Sequence, residues 1–177
     1  MKNANRGRRT FGLAAAAVLA TSLGLAVGSA QAQIKLRYAH VGVANAPQTL
    51  YADEVAKLVK ERTAGRVEIQ VFASSQLGGV GEMVDGVKSG AIAIGHHDFA
   101  SLGKILPATA VFNTPFAYRD AEHAMRATDP RTSAALQAVN KDLVGAGGMR
   151  IVGHLFQGTR HLTSKEKVTS PKDMAGK

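Results

Sequence analysis

Residues 34–71 change hydrophobic period twice, and that change constrains the fold more than any other feature of the chain. Ile34, Leu36 and Tyr38 alternate with Lys35, Arg37 and Ala39, the period of two of a strand, and His40 closes the run. Pro47 and Gln48 open a stretch that places Leu50, Val55, Leu58 and Val59 on one helical face. Asp53, Glu54, Lys57, Lys60 and Glu61 take the other, and Gly65 is the expected stop. Val67, Ile69 and Val71 then alternate with Glu68 and Gln70. A strand, a crossover helix and a second strand make a βαβ unit with parallel strands.

The pattern repeats. A flexible stretch is expected over 74–81, a short helical stripe at Met83, Val84 and Val87 that ends at Gly90, and a compact apolar strand over 91–95. Asp120, with Glu122 in the first turn, predicts a helix running to about Thr128. Asp129-Pro130 breaks it and is expected to cap the next helix, whose buried side is Leu136, Val139 and Leu143. Gly145, Gly147 and Gly148 then release the chain into a last strand over 149–156, and the tail turns at Ser170-Pro171. The fold class is therefore α/β with an open, mostly parallel sheet, which gathers ligands at the carboxyl ends of its strands. Those ends are 40–45, 72–81, 96–100 and 157–160.

The first residues stand apart from this pattern. Lys2, Arg6, Arg8 and Arg9 precede an apolar run of about 17 residues, and Ala30-Gln31-Ala32 offers the small residues a signal peptidase reads. A signal peptide of residues 1–32 with a cut before Gln33 is expected. Arg8-Arg9 followed by Thr10, Phe11, Gly12 and Leu13 fits a twin-arginine signal except at Gly7, so the general secretory and twin-arginine routes both stay open. Removing the four leader cations lowers the net charge from +9 to +5. The remaining cations form no block, and aromatics are 5% with no tryptophan, so nucleic acid is not an expected partner. The absence of cysteine excludes a disulfide framework, a thiolate metal site and a cysteine nucleophile.

Several candidate site residues lie at the predicted strand ends. Arg160, in Gln157-Gly158-Thr159-Arg160, is placed to hold a carboxylate by two parallel hydrogen bonds or, alternatively, to form a surface ion pair. The segment from Ser74 to Gly81 offers backbone N–H groups before a helix, as an anion-facing loop or as a plain connection; it matches no Walker or dinucleotide pattern. His96, His97 and Asp98 are the nearest approach to a metal cluster, yet neighbours on a strand point to opposite faces, and no metal is expected. One of the three is expected to face a cleft while another packs within the domain. Phe112, Phe116 and Tyr118 line either the core or a pocket. No Gly-x-Ser-x-Gly or His-Glu-x-x-His spacing occurs, and no nucleophile has a local base.

Seven short stretches, in this order, carry a resemblance: Leu36-Arg37-Tyr38-Ala39-His40, Glu61-Arg62-Thr63-Ala64-Gly65-Arg66-Val67, Ser74-Ser75-Gln76-Leu77-Gly78, Pro115-Phe116, Glu122-His123-Ala124, Gly158-Thr159-Arg160 with Thr163-Ser164, and Pro171-Lys172-Asp173-Met174-Ala175-Gly176-Lys177. Together they resemble the solute-binding subunit of TRAP transporters, the DctP family of periplasmic receptors. The resemblance implies a fold of the periplasmic-binding-protein class II type. Two α/β lobes close around a small organic acid and pass it to a membrane permease, without cofactor or covalent chemistry. It implies that Arg160 contacts the ligand carboxylate with Gln157 on the approach to it, and that Asp98 is a polar cleft position. It places His40 and Val41 where the first strand meets the ligand, and Gly79 and Val80 at the cleft border. Val80 departs from relatives that are polar there.

Relatives continue for about as long again beyond the last stretch. The chain is accordingly expected to be an N-terminal fragment, with lobe I over 33–157, and 158–177 forming a hinge strand and the start of a largely missing lobe II. Two other functions remain at this point: an exported small-acid enzyme using His96, His97 and Asp98, and a ligand-sensing receptor.

Overall fold

The computed structural model describes residues 32–176; the leader features read over 1–31 lie outside them. Three strands, β1 (Ile34–His40), β2 (Val67–Phe72) and β3 (Ile94–His96), form one parallel sheet in the order β2-β1-β3. Helix α1 (Pro47–Arg62) joins β1 to β2, and α2 (Val80–Ser89) joins β2 to β3. Two 3-10 helices, Phe99–Lys104 and Pro107–Asn113, lead to α3 (Ala121–Ala127) and α4 (Ala134–Gly147). Among the described residues no helix is long and apolar enough to cross a membrane.

The central strand shows why both faces must be covered. Tyr38 packs with Ala52 of α1 and Ile69 of β2 on one face, with Val55, Ala56 and Val59 completing that layer. Its neighbour Ala39 points the other way, onto Met83 of α2 and Ile92. A third cluster of Val84, Leu102, Leu143 and Met149 ties α2 and the first 3-10 helix to α4. Gly86 lets α2 sit this close, since a Cβ there would fall 2.7 Å from Ile92 Cδ1. The expected face of α1 needs one correction. Leu50 is 58% exposed, and the small Ala52 is what allows the helix to approach the sheet.

Local chemistry sets the ends of these elements. Thr63 Oγ1 donates to the Val59 carbonyl at 2.8 Å and accepts from the Val67 N–H at 3.1 Å, clasping the last turn of α1 to the first residue of β2. Gly65, at φ +76, then turns the chain where a left-handed residue is needed. Asp120 caps α3 as expected, accepting the His123 N–H at 2.7 Å. Asp129-Pro130 does end α3, but the cap of α4 is Ser133, which accepts the Leu136 N–H. Asp129 is instead held by Arg131 through its backbone N–H and guanidinium, which pull its carboxyl down to about 2. Helix α4 also runs through Gly145 and Gly147, and the left-handed residue that ends it is Gly148.

Three expected elements differ in the structure. The third strand is displaced from 91–95 to Ile94–His96, because Ile92 N–H still bonds back to Gly86 and Ala93 N–H reaches Arg37 before the ladder begins. The stretch after β2 is ordered rather than loose: Ser74 N–H donates to Gly42 and Ser75 N–H to His40, with both serines at positive φ. The last strand, expected over 149–156, does not form.

In place of that strand the chain runs without a ladder partner among the described residues. Asn140, buried on α4, supplies the two bonds a neighbouring strand would have made: its Nδ2 donates to the Ile151 carbonyl at 2.9 Å and its Oδ1 accepts the Ile151 N–H at 2.8 Å. Asn140→Leu is expected to strip both bonds at nearly constant volume and to destabilise the chain by about 2 kcal/mol. Urea denaturation checks this, and an unchanged midpoint would show that Ile151 finds another partner.

Candidate functional site

The carboxyl ends of β1 and β3 bring together four rings that lie far apart in sequence. His40 and His96 are register partners on adjacent strands, with ring centroids 6.3 Å apart. Tyr38, two residues before His40 on the same face, stacks on His96 at 6.1 Å, and its hydroxyl and His96 Nδ1 share a hydrogen bond at 2.9 Å. From α1, Tyr51 meets the His96 ring edge-on at 5.9 Å. Gly153, in the unpaired run after α4, lies so close that a Cβ would approach the Tyr51 hydroxyl to 3.1 Å. The run therefore passes beside the ends of the strands.

Electrostatics keep Tyr38, His40 and His96 uncharged at neutral pH. Burial pushes the Tyr38 hydroxyl well up, with Tyr51 adding to the shift. Burial also lowers His40, against a weaker opposing pull from Asp53. His96 is pushed down to about 4, first by burial and then by the neighbouring His40 and His97. The folded ring thus takes its proton near pH 4, whereas an unfolded one takes it near 6.5. Between those values the unfolded chain binds the extra proton, so the contribution of His96 to stability is whole above pH 6.5 and is lost as pH falls toward 4. Allowing for partial access of water to the ring, the loss should be about 2 kcal/mol. Denaturation midpoints across that range measure it, and His96→Phe should flatten the dependence.

The other predicted residues fall at different places. Val41 is exposed just beyond β1, beside the buried His40. Gly79 precedes α2, and its N–H donates to Glu82 Oε2 at 2.6 Å. The N–H groups of Ser74, Ser75, Gln76 and Gly78 are likewise taken by backbone carbonyls. This favours the plain-connection reading of the loop over the anion-facing one, because five of its N–H groups are spent internally and a carboxylate already sits at the helix start. Val80 packs on the cluster of Ala39, Met83 and Ile92, and borders a depression of about 220 Å³ with Asp85, Ser101 and Lys104.

Asp98 is exposed and caps the first 3-10 helix, accepting from Ser101 N–H at 2.9 Å and Ser101 Oγ at 2.6 Å. His96, His97 and Asp98 do not converge: His96 turns to Tyr38, His97 Nδ1 lies 3.1 Å from the Asp98 carbonyl, and Asp98 turns to Ser101. Gln157 and Arg160 are exposed on the unpaired run, and Arg160 makes no hydrogen bond or ion pair with the other described residues. Phe112 is core, Tyr118 donates to its carbonyl at 2.8 Å, and Phe116 is fully exposed at φ +60, so the three do not share one environment.

Tyr51 escaped sequence reading because its face of α1 was judged by aliphatic spacing. Its position one turn into the helix that follows β1 was the available signal.

The family model for bacterial extracellular solute-binding proteins, family 7 (DctP), matches residues 38–177. The 2,3-diketo-L-gulonate-binding periplasmic protein of Escherichia coli K12 is 30% identical over 152 residues, covering 84% of this chain and 44% of that protein. Among solved structures, a TRAP periplasmic solute-binding protein from Desulfovibrio desulfuricans with bound sn-glycerol-3-phosphate superposes with a TM-score of 0.74 at 26% identity, over 80% of this chain and 44% of the other. One from Sulfurospirillum deleyianum with bound succinate gives 0.56 at 34% identity, over 64% and 36%. The chain spans less than half the length of each.

Proposed function

Because the chain belongs to family 7 of the bacterial extracellular solute-binding proteins, we propose that it forms the first lobe of a periplasmic receptor that captures a small organic acid and delivers it to a TRAP-type membrane permease. The observation that carries this reading is the parallel β2-β1-β3 sheet with two crossover helices, whose strand ends and following turns collect on one side. The similar proteins are described with 2,3-diketo-L-gulonate, sn-glycerol-3-phosphate and succinate, three small anions. Relatives are receptors rather than enzymes, and the divergence of His96, His97 and Asp98 favours the same reading here.

In this reading residues 33–157 form lobe I, and 158–177 cross toward a second lobe. Val41, Gly79, Val80, Asp98 and Gln157 border the cleft, and Arg160 anchors the carboxylate. Its guanidinium has no internal partner among the described residues, which leaves its donors free for a ligand. Solute capture then works by domain closure. Contacts from both lobes exist together only in the closed form, so the solute selects that form by its greater affinity for it. The leader directs export and is removed before Gln33, which N-terminal sequencing of the mature protein tests directly.

Thermal denaturation of the full-length protein against a panel of organic acids tests the function. A carboxylate present at one hundred times its Kd should stabilise the protein by about 2.7 kcal/mol. A panel without any shift, together with stoichiometric zinc or iron in the purified protein, would favour the enzyme.

A further inference from the structure

His40 is completely buried, and its two ring nitrogens are not equivalent. The Gly42 backbone N–H donates to Nδ1 at 3.1 Å, so Nδ1 presents a lone pair and the neutral ring carries its proton on Nε2. Nε2 has no protein partner among the described residues, so Nδ1 makes the only ring bond that fixes a neighbouring segment. The backbone around it is equally committed. The His40 carbonyl accepts Ser75 N–H at 3.2 Å and the Gly42 carbonyl accepts Ser74 N–H at 2.9 Å. A Cβ on Gly42 would lie 3.1 Å from Gln48 Cβ and 3.2 Å from His40 Nδ1. The turn leaving β1, the turn leaving β2 and the first turn of α1 therefore meet around Gly42, whose N–H the imidazole holds.

We propose that His40 is the positioning residue of the solute cleft: as the neutral, Nε2-protonated ring it holds the turn carrying Val41 against the turn after β2, and a proton on Nδ1 releases it. The inference rests on the reading of these strand ends as the solute site. A proton on Nδ1 replaces an acceptor with a donor, which the Gly42 N–H cannot meet. It also places a charge in a buried position with little to compensate it. The titratable groups that act on the two imidazoles are Tyr38 from β1, His96 from β3 with His97 beyond it, and Tyr51 and Asp53 from α1. Asp53 is the one carboxylate among them, and its pull on His40 is weaker than the opposing effect of burial. The second imidazole, 6.3 Å away, offers no counter-charge.

The test uses the full-length protein and nitrogen-15 NMR. At pH 7.5 the His40 ring should show Nδ1 as an acceptor and Nε2 protonated, and the Gly42 amide should be protected from exchange. As the pH falls below 7.5 and the ring takes its proton, the Gly42 protection factor and the Val41 resonance should change together with it. Calorimetric titration with D-gluconate and D-galacturonate, which stay anions well below neutral pH, should show affinity at least tenfold weaker once the ring is protonated. His40→Asn places an amide oxygen where Nδ1 stood and cannot titrate, so its affinity should be independent of pH over the same range. A proton found on Nδ1 at pH 7.5, or a Gly42 amide indifferent to the titration, overturns the proposal on the wild-type protein even if His40→Asn fails to fold. Acid binding that ignores pH, or that weakens equally in His40→Asn, overturns the role of His40 alone. No binding of either acid at any pH, with the NMR result as expected, overturns the solute reading and the cleft role with it.

Discussion

In the full-length receptor, Arg160→Ala is expected to weaken carboxylate binding by about 2–5 kcal/mol, the usual result of removing one partner from a desolvated charge pair. The expectation follows from the proposed closed form, in which the second lobe covers a guanidinium that the described residues leave exposed and unpartnered. Arg160→Lys should recover only part of the loss, because an ammonium cannot reproduce two parallel bonds to one carboxylate. Calorimetric titration separates the outcomes. Equal affinity in wild type and Arg160→Ala would remove this residue from the site and leave the sheet-end reading without a cation.

The second large effect concerns stability. Met83 is fully buried between α2 and the central strand, packed with Ala39 and Ile92. Met83→Ala should destabilise the protein by about 2–5 kcal/mol, since the small Ala39 opposite it cannot fill the space left behind. Phe116→Ala removes a larger side chain from a fully exposed position and should move stability by no more than about 0.5 kcal/mol. Chemical denaturation of the pair is decisive. A costly Phe116→Ala would mean that this ring is covered in solution.

The contrast between Met83 and Phe116 shows what the sequence disclosed and what it withheld. Met83 lies on a helical stripe with Val84 and Val87, a periodic signal that survives folding because one face of α2 meets the sheet. Phe116 has no such pattern, and its place depended on whether the turn at Pro115 folded inward. The βαβ unit was legible for the same reason as Met83: its periods of two and 3.6 reflect burial on defined faces. The run 149–156 has the residues of a strand, yet a strand also needs a neighbour, and Asn140 satisfies Ile151 from a helix instead. The order of the loop after β2 is not legible, because composition cannot show that Ser75 bonds to the last residue of β1 and Ser74 to the turn beyond it.

At the site, position was easier to read than chemistry. The alternating pattern places His40 and Val41 at the end of the first strand, a compact apolar run places His96 just beyond the third, and the structure pairs His40 with His96 at the ends of β1 and β3. The role of each nitrogen was not readable, because it depends on the Gly42 N–H and the Tyr38 hydroxyl, neither of which leaves a trace in residue type. Tyr51 was missed outright, although it closes the ring cluster from α1.

The clasp at Thr63 also bears on the order in which the molecule is assembled. A strand that slips by one residue exchanges its inward and outward side chains, so β2 must be aligned correctly before it is useful. Bonding Val67 to the end of the preceding helix settles that alignment from within a short contiguous segment. The amino-terminal βαβ unit can then mature before the later elements are in place. Pulse-labelling during refolding should find the Val67 amide among the earliest shielded positions, and late shielding there would argue for collapse of the whole lobe at once.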